Sequence, residues 1–337
     1  MGYKKIKKDQ LKALFGEFSK DYSLLVPSRS KGHVSFNPWD GDSADFAEWY
    51  RNTTIPPKAM FFPPVEEMLR FKKGEEGYEI EELLPGEGTQ VIFGIRPCDA
   101  RALKIIDILF SDTYKDPYYL TRRENAILVG LGCNEPCETC FCTSLDISPG
   151  ESGDVDLFCT DIGDELLMET VSDKGEDLLS KMSGVSDASG EEESKAKELG
   201  ESVKEKITRE INTSGLLERM RSNFENREYW EGVSRKCMSC GICTYVCPTC
   251  HCFDICDENN KKDGKRVRNW DSCKLPLFTR MPMENPRHEK WRRIRQRYHH
   301  KFEYYPMNFD TIACTGCGRC IRECPVNVDV REVIGGI

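Results

Sequence analysis

Residues 237–256 read CMSCGICTYVCPTCHCFDIC and place seven cysteines within twenty positions. A second run, CTGCGRCIRECP at 314–325, repeats the opening formula of the first, Cys-x2-Cys-x2-Cys-x3-Cys-Pro. A tight loop with cysteine at every third position points three thiolates at three irons of one cubane, and this is the spacing of bacterial ferredoxins that hold [4Fe–4S] clusters. In two-cluster ferredoxins the fourth cysteine ligates the other cube. The expected sets are therefore Cys237, Cys240, Cys243 and Cys324 for one cluster, and Cys314, Cys317, Cys320 and Cys247 for the second. Pro248 and Pro325 fix φ where the chain leaves each site, while Gly241, Gly316 and Gly318 let backbone amides approach sulfur.

Other cysteine chemistries fit less well. Zinc prefers paired Cys-x2-Cys units that close a tetrahedron, and three cysteines at two-residue gaps do not supply them. The stretch CPTCH at 247–251 spells the covalent haem motif, and Cys247 with Cys250 spells a thioredoxin-like pair. Both need Cys247, which the first run already requires.

Eighteen cysteines in 337 residues point to metal ligation in a compartment that keeps thiols reduced. The length allows two domains with cores of their own. No run approaches the eighteen apolar residues of a membrane span, and the opening MGYKKIKKDQLKALF has no apolar signal region, so a soluble cytoplasmic protein is expected. The formal net charge of −9 hides a dipolar chain, with Lys and Arg crowded into 261–301 and acids into 151–201.

In chain order, residues 7–18 predict an amphipathic helix with Leu11, Leu14, Phe15 and Phe18 on one face, followed by strands at SLLVP and HVSF. A proline-broken segment, IPPKAMFFPPVEEMLRF, leads to QVIFGIRPCDARALKIIDILF and ENAILVGLGC, which read as strand, helix, strand with Asp99 capping the helix. DVDLFCTDIGDELLMETVSD predicts a strand pair, SKMSGVSDASGEEESKAKELGESVKEK a solvated linker, and LLERMRSNFENREYW a helix. A basic helix is expected over NPRHEKWRRIRQRYHHKFEYYP, with Pro286 near its start and Pro306 near its end. The expected fold is an α/β N-terminal domain with a short parallel βαβ core (1–165), then hairpin, acidic linker and helix (166–230), joined to an α-rich two-cluster ferredoxin-like C-terminal domain (231–337).

A third group comes from the first half. GLGCNEPCETCFC supplies Cys133, Cys137, Cys140 and Cys142, and IRPCDA supplies Cys98. In a parallel βαβ unit the loops after both strands open on one sheet edge, so Cys98 and Cys133 face each other there. Five thiols are present for four corners; the bland reading is that they are buried small hydrophobes.

The long motifs FGIRPCDARAL, CNEP with TCFCTS, CPTCHCFD, RVRNWDSC, NPR, RQRYHHKF and CTGCGRCIRECPVNVDVRE resemble one family of iron–sulfur subunits, which includes the beta subunit of cytosolic sulfhydrogenases and its counterpart in anaerobic sulfite reductase. The resemblance runs from about residue 90 onward and leaves out the acidic linker. It implies a third [4Fe–4S] cluster on Cys98, Cys133, Cys140 and Cys142, since the place of Cys137 is commonly filled by another residue in that family. The chain departs from the pattern at Cys137, Cys159 and Cys256 and at RMPMENPR. It also implies partners: a flavin subunit handling NAD(P)H, and a hydrogenase, sulfite reductase or heterodisulfide reductase module.

Of the six remaining cysteines, Cys250, Cys252, Cys256 and Cys273 fit a fourth site only loosely and are expected to pack as thiols beside the first cluster. Arg287, Arg292, Arg293, Arg295 and Arg297 read as counter-charge rather than as a nucleic-acid surface. Three oxidised clusters with cores of about +2 and four thiolates each would carry the chain to about −15. No Gly-x-Gly-x-x-Gly follows a strand, so no NAD site is expected, and the five histidines are expected at the surface. The function expected is relay of single electrons by a subunit without catalysis of its own. The alternative is a sulfur- or sulfite-reducing subunit that uses an open-corner cluster at 133–142.

Overall fold

A computed structural model describes residues 3–30, 32–41, 50–75, 77–151, 153–260 and 262–337. The strands are β1 (Lys4–Lys7), β2 (Ser23–Ser30), β3 (His33–Pro38), β4 (Val65–Lys73), β5 (Tyr78–Glu82), β6 (Gln90–Ile95), β7 (Ala126–Leu131), β8 (Leu157–Asp161), β9 (Glu165–Thr170), β10 (Ser186–Asp187), β11 (Phe253–Asn259) and β12 (Asp263–Trp270). Eight of them form one sheet in the order β10-β1-β9-β8-β7-β6-β2-β3. Its centre, β2, β6, β7 and β8, is parallel, and both flanks are antiparallel. The central strands β6 and β7 are buried almost throughout, as a sheet covered on both faces requires.

The expected βαβ unit is present: β6, the helix Pro97–Ser111, a second helix Pro117–Glu124 and β7, with Phe93 opposite Val129 in parallel register. Asp99 does not cap its helix. The N-cap is Arg96 without a side-chain cap, and Pro97 enters at the first turn, where its missing N–H costs nothing. The helix Leu11–Asp21 buries Leu11, Leu14, Phe15 and Phe18 against the same core, as the spacing predicts.

The sheet continues past residue 165, since β9 pairs with both β8 and β1. The acid-rich stretch expected as a linker is a helix, Gly190–Lys206, opened by a capping box in which Ser189 and Glu192 satisfy each other's backbone N–H. Its buried positions are Ala196, Gly200 and Val203, a stripe of small side chains that carries little apolar signal. Gly200 lies so close to Gly150 that a Cβ on Gly150 would stand 2.2 Å from the Gly200 Cα. Lys5 holds Glu192 at 2.6 Å and ties this helix to β1.

The second sheet, β11-β12-β4-β5, draws two strands from each end of the chain. The proline-broken segment thus leads directly into β4, which pairs with β12 from the cysteine-rich half. Arg268 on β12 is buried against Glu66 on β4, its Nε 2.9 Å from Oε2, and it reaches Asp116 as well. Trp270 donates its indole N–H to the Phe62 carbonyl at 3.0 Å. Neither half closes this sheet alone.

The C-terminal core packs Trp230, Trp291, Ile294, Tyr298, Phe302, Ile321 and Val333. The basic helix runs Lys290–His299, passes through a π-helical turn at His300–Tyr304 and resumes over Tyr305–Phe309, so Pro306 lies inside the helical segment. His299 is fully buried between Trp230 and Phe224, and burial lowers His300 to about pKa 4 and His251 to about 3. His299 is interior and His300 and His251 partly so, against the surface expectation: the helical segment turns the first two inward, and His251 comes from the loop before β11 and packs on His300.

Replacing Ser189 with Ala should remove the side-chain cap and cost about 1 kcal/mol. Amide exchange in 190–206 should accelerate while β6 and β7 stay protected.

Candidate metal centres

Each cysteine run folds into the same short device. Gly241, at φ +78°, opens the helix Ile242–Tyr245, and Gly318, at φ +74°, opens Arg319–Arg322. That left-handed conformation suits glycine and turns the chain so that flanking cysteines face one space. The first cavity is lined by Cys237, Cys240, Cys243 and Cys324, with Lys274, Arg297, Tyr298 and Cys320 in its wall. The second is lined by Cys247, Cys314, Cys317 and Cys320, with Arg297, Lys301 and Thr315. The last cysteine of each run stands in the other run's cavity, since a short helix intervenes before Cys247 and Cys324.

A third cavity lies at the carboxyl ends of β6 and β7, lined by Cys98, Cys133, Cys137, Cys140 and Cys142 together with Cys317. Cys98 enters from the first turn of the helix after β6, and Cys133 follows β7. Arg96 fastens these loops, donating to the carbonyls of Leu131 at 3.2 Å and of Gly132 and Tyr50. Cys137 is hydrogen-bonded to the Cys140 thiol in the same cavity, and its sulfur accepts from Arg322 Nη1 at 3.6 Å. Ile207, at the end of the acid-rich helix, closes another wall.

The three cavities stand in a row. Cys320 and Arg297 line both the first and the second, and Cys317 lines both the second and the third. The loop 137–142 rests on the second run with no room to spare: a Cβ on Gly318 would meet Thr139 atoms at 2.3–2.6 Å, and one on Gly316 the Cys142 nitrogen at 2.5 Å. Phe141 donates its N–H to the Gly316 carbonyl at 2.9 Å. The contact is locked by Arg319, whose guanidinium takes both Asp99 carboxylate oxygens at 2.6 and 2.7 Å and the Thr53 carbonyl at 2.6 Å. Arg319 and Asp99 are both 0% exposed.

The donor chemistry suits iron–sulfur clusters. Among the described residues no three Cys, His, Asp or Glu side chains converge on one ion, and thiolates at cubane corners hold separate irons and have no need to. Several buried polar atoms beside the cavities lack a protein partner: Ser239 Oγ, Thr139 Oγ1, Thr315 Oγ1 and Arg297 Nε. Sulfide and thiolate acceptors would satisfy them. Amides already point at sulfur, from Ser239 to Cys237 at 3.3 Å and from Val328 to Cys324 at 3.2 Å. Burial pushes the Cys314 thiol up to about 11 and those of Cys142 and Cys320 to about 12, so their thiolates need compensating positive charge.

Residues 236–328 match a family model described as a 4Fe-4S dicluster domain. Over 341 residues the chain is 31% identical to Sulfhydrogenase 2 subunit beta of Pyrococcus furiosus, covering 99% of this chain and 98% of that protein. The chain belongs to the sulfhydrogenase beta-subunit family. With its dicluster domain, this family member is an iron–sulfur subunit of the electron-transfer type, and the likeness extends over the first 90 residues and the acid-rich helix as well. No solved structure matches the chain. Among the described residues no helix is long and apolar enough to cross a membrane.

The remaining thiols fall into three places. Cys159 is fully buried in β8, where burial raises it to about 12. Cys256 lies on β11 and accepts from Asn269 Nδ2 at 3.4 Å. Cys250, Cys252 and Cys273 gather beside Cys247, with Cys252 lowered to about 7 chiefly by the Cys273 thiol's hydrogen bond. Of the arginines expected as counter-charge, Arg297 reaches the cavities, while Arg292 pairs with Glu289 and Arg295 stacks on Phe224. Lys274, Lys301 and Arg319 went unread in the sequence. Lys301 follows Arg297 by four positions on the same helical segment, the spacing that could have revealed it.

Gly318→Ala should strain the backbone and force the 137–142 loop outward, costing about 1–3 kcal/mol; iron analysis should show the third site emptied before the other two. Arg319→Met leaves the buried Asp99 charge unpaired and should cost about 3–5 kcal/mol. Much of that loss should return in thermal melts of the double variant with Asp99→Leu.

Proposed function

We propose that this chain holds three [4Fe–4S] clusters in a row and relays single electrons between two partner subunits of a cytoplasmic oxidoreductase complex. The ligands assigned are Cys237, Cys240, Cys243 and Cys324 for the first, Cys314, Cys317, Cys320 and Cys247 for the second, and Cys98, Cys133, Cys140 and Cys142 for the third. The observation that carries the reading is the shared walls, Cys320 between the first and second cavities and Cys317 between the second and third. Bound clusters supply one-electron chemistry. The chain supplies the order, the burial and the hydrogen bonds to sulfur.

The two ends differ in access. Cys240 of the first set is exposed, and exposed Met238 stands beside it. The third cavity has Arg51 and Glu135 at its mouth, both exposed. The second cavity, with Cys247 and Cys317 buried, lies between them. A middle station with two buried ligands, set between ends that carry exposed residues, fits a conductor with an entry and an exit. Kinship with a sulfhydrogenase beta subunit supports a hydrogenase-type module at one end, and the partner proposed at the other end is a flavin subunit handling NAD(P)H.

The full chain reconstituted without air should hold about twelve irons and reduce neither protons nor sulfur compounds unaided. Cys98→Ser should lower this to about eight irons, while Cys137→Ser leaves the count unchanged. A chain with about eight irons that is indifferent to Cys98 would defeat the three-station reading, and turnover by the lone chain would defeat the relay.

A further inference from the structure

The buried cations around the cavities are distributed unequally. Lys301 Nζ donates to Cys247 Sγ at 3.1 Å, to Thr249 Oγ1 at 2.8 Å and to the Ala313 carbonyl at 2.8 Å. Three acceptors around one nitrogen use all three N–H bonds of an ammonium, so the side chain is held as the cation. Among the described residues it is the only Lys or Arg hydrogen-bonded to the sulfur of a proposed ligand. The π-helical turn that begins at His300 carries it there.

Two more buried cations lie near the same thiol and act on it electrostatically. Arg297 lies in the wall between the first and second cavities, with Nη2 on the Cys243 carbonyl at 3.1 Å. Lys58 reaches in from the N-terminal half, with Nζ on the Cys250 carbonyl at 2.6 Å and 4.2 Å from the centroid of Trp270. All three act electrostatically on Cys247. None of the three has a carboxylate partner among the ion pairs of the described residues. The third cavity is arranged otherwise: Arg319 is cancelled there by Asp99, Arg51 in its wall is exposed to solvent, and buried Arg96 spends its donors on backbone carbonyls while acting on Cys133. At the first cavity Lys274 and Arg297 are buried as well, but exposed Cys240 opens that station to solvent, which screens the charge a cluster there would feel.

We infer that Lys301, supported by Arg297 and Lys58, makes the middle station the one at which an electron settles first. The inference rests on the three-cluster reading. An oxidised cluster with four thiolates carries about −2, and one added electron brings it to about −3. Three buried positive charges match the reduced form and leave the oxidised form over-compensated, which favours reduction. Lys301 is thus a positioning residue for charge, acting through Cys247.

The test is a potentiometric titration of the full chain, reconstituted without air and followed by electron paramagnetic resonance. In the unaltered protein the first electron should give one uncoupled signal, and magnetic splitting should appear with the second, because either neighbour of the middle station lies next to it. Lys301→Met and Lys301→Gln should each disfavour reduction of that station by about a hundredfold, or about 120 mV at 59 mV per decade. Lys301→Arg, which keeps the charge, should restore most of it. Uncoupled signals persisting through the second electron in the unaltered protein overturn the inference, whether or not the variants fold. So does a neutral variant with three clusters and unshifted potentials, or one in which all three shift alike. A chain lacking the three clusters instead sinks the reading of the site.

Discussion

The ion pair between Arg319 and Asp99 is the joint on which the arrangement depends. Arg319 occupies the first turn after Gly318 in the second cysteine run, and Asp99 the first turn of the helix after β6. Both are removed from water, so each is tolerated only because the other is present, with Thr53 completing the guanidinium's partners. Because the pair is bidentate it fixes direction as well as distance. It presses the ferredoxin-like loop against the sheet edge that carries Cys98 and Cys133. The glycines beneath make the approach possible, for any side chain at Gly316 or Gly318 would collide with the 137–142 loop.

Burying thiolates and sulfide in a chain that is already acidic poses an electrostatic problem, and the fold meets it locally rather than through overall charge. Arg297 and Lys301 come from one helical segment, Lys58 from the opposite half, and Lys274 from the turn after β12. Lys58, Arg297 and Lys301 donate to carbonyl, hydroxyl or thiol groups, which orient the cation without neutralising it. Two half-buried arginines of the basic stretch spend their charge elsewhere, Arg292 on Glu289 and Arg295 on aromatic faces.

The second sheet explains why the halves behave as one body. β4 and β12 come from positions about 200 residues apart, and the strongest link between them, Arg268 with Glu66, is almost fully buried. Lys58 stands just before β4, and Cys250 and Cys252 just before β11, so the same pairing that closes the sheet brings Lys58 to the Cys250 carbonyl, beside Cys247 of the middle station. Structure and electrostatics at that cavity share one cause.

Much of this was readable from residue order. Cysteine spacing is local geometry, fixed by a tight loop of a few residues, and so the two runs, their iron–sulfur chemistry and the βαβ unit with its amphipathic neighbours could be taken from the chain directly. The acid-rich helix escaped because its buried stripe is Ala196, Gly200 and Val203, too small to register as hydrophobic. Asp99 looked like a cap because caps are local; its partner lies 220 positions away. The row of three cavities, the choice of Arg297 among its neighbours and the delivery of Lys58 and Lys301 were decided by tertiary structure alone. They depend on which distant loops touch, and no period or spacing in a single segment encodes that.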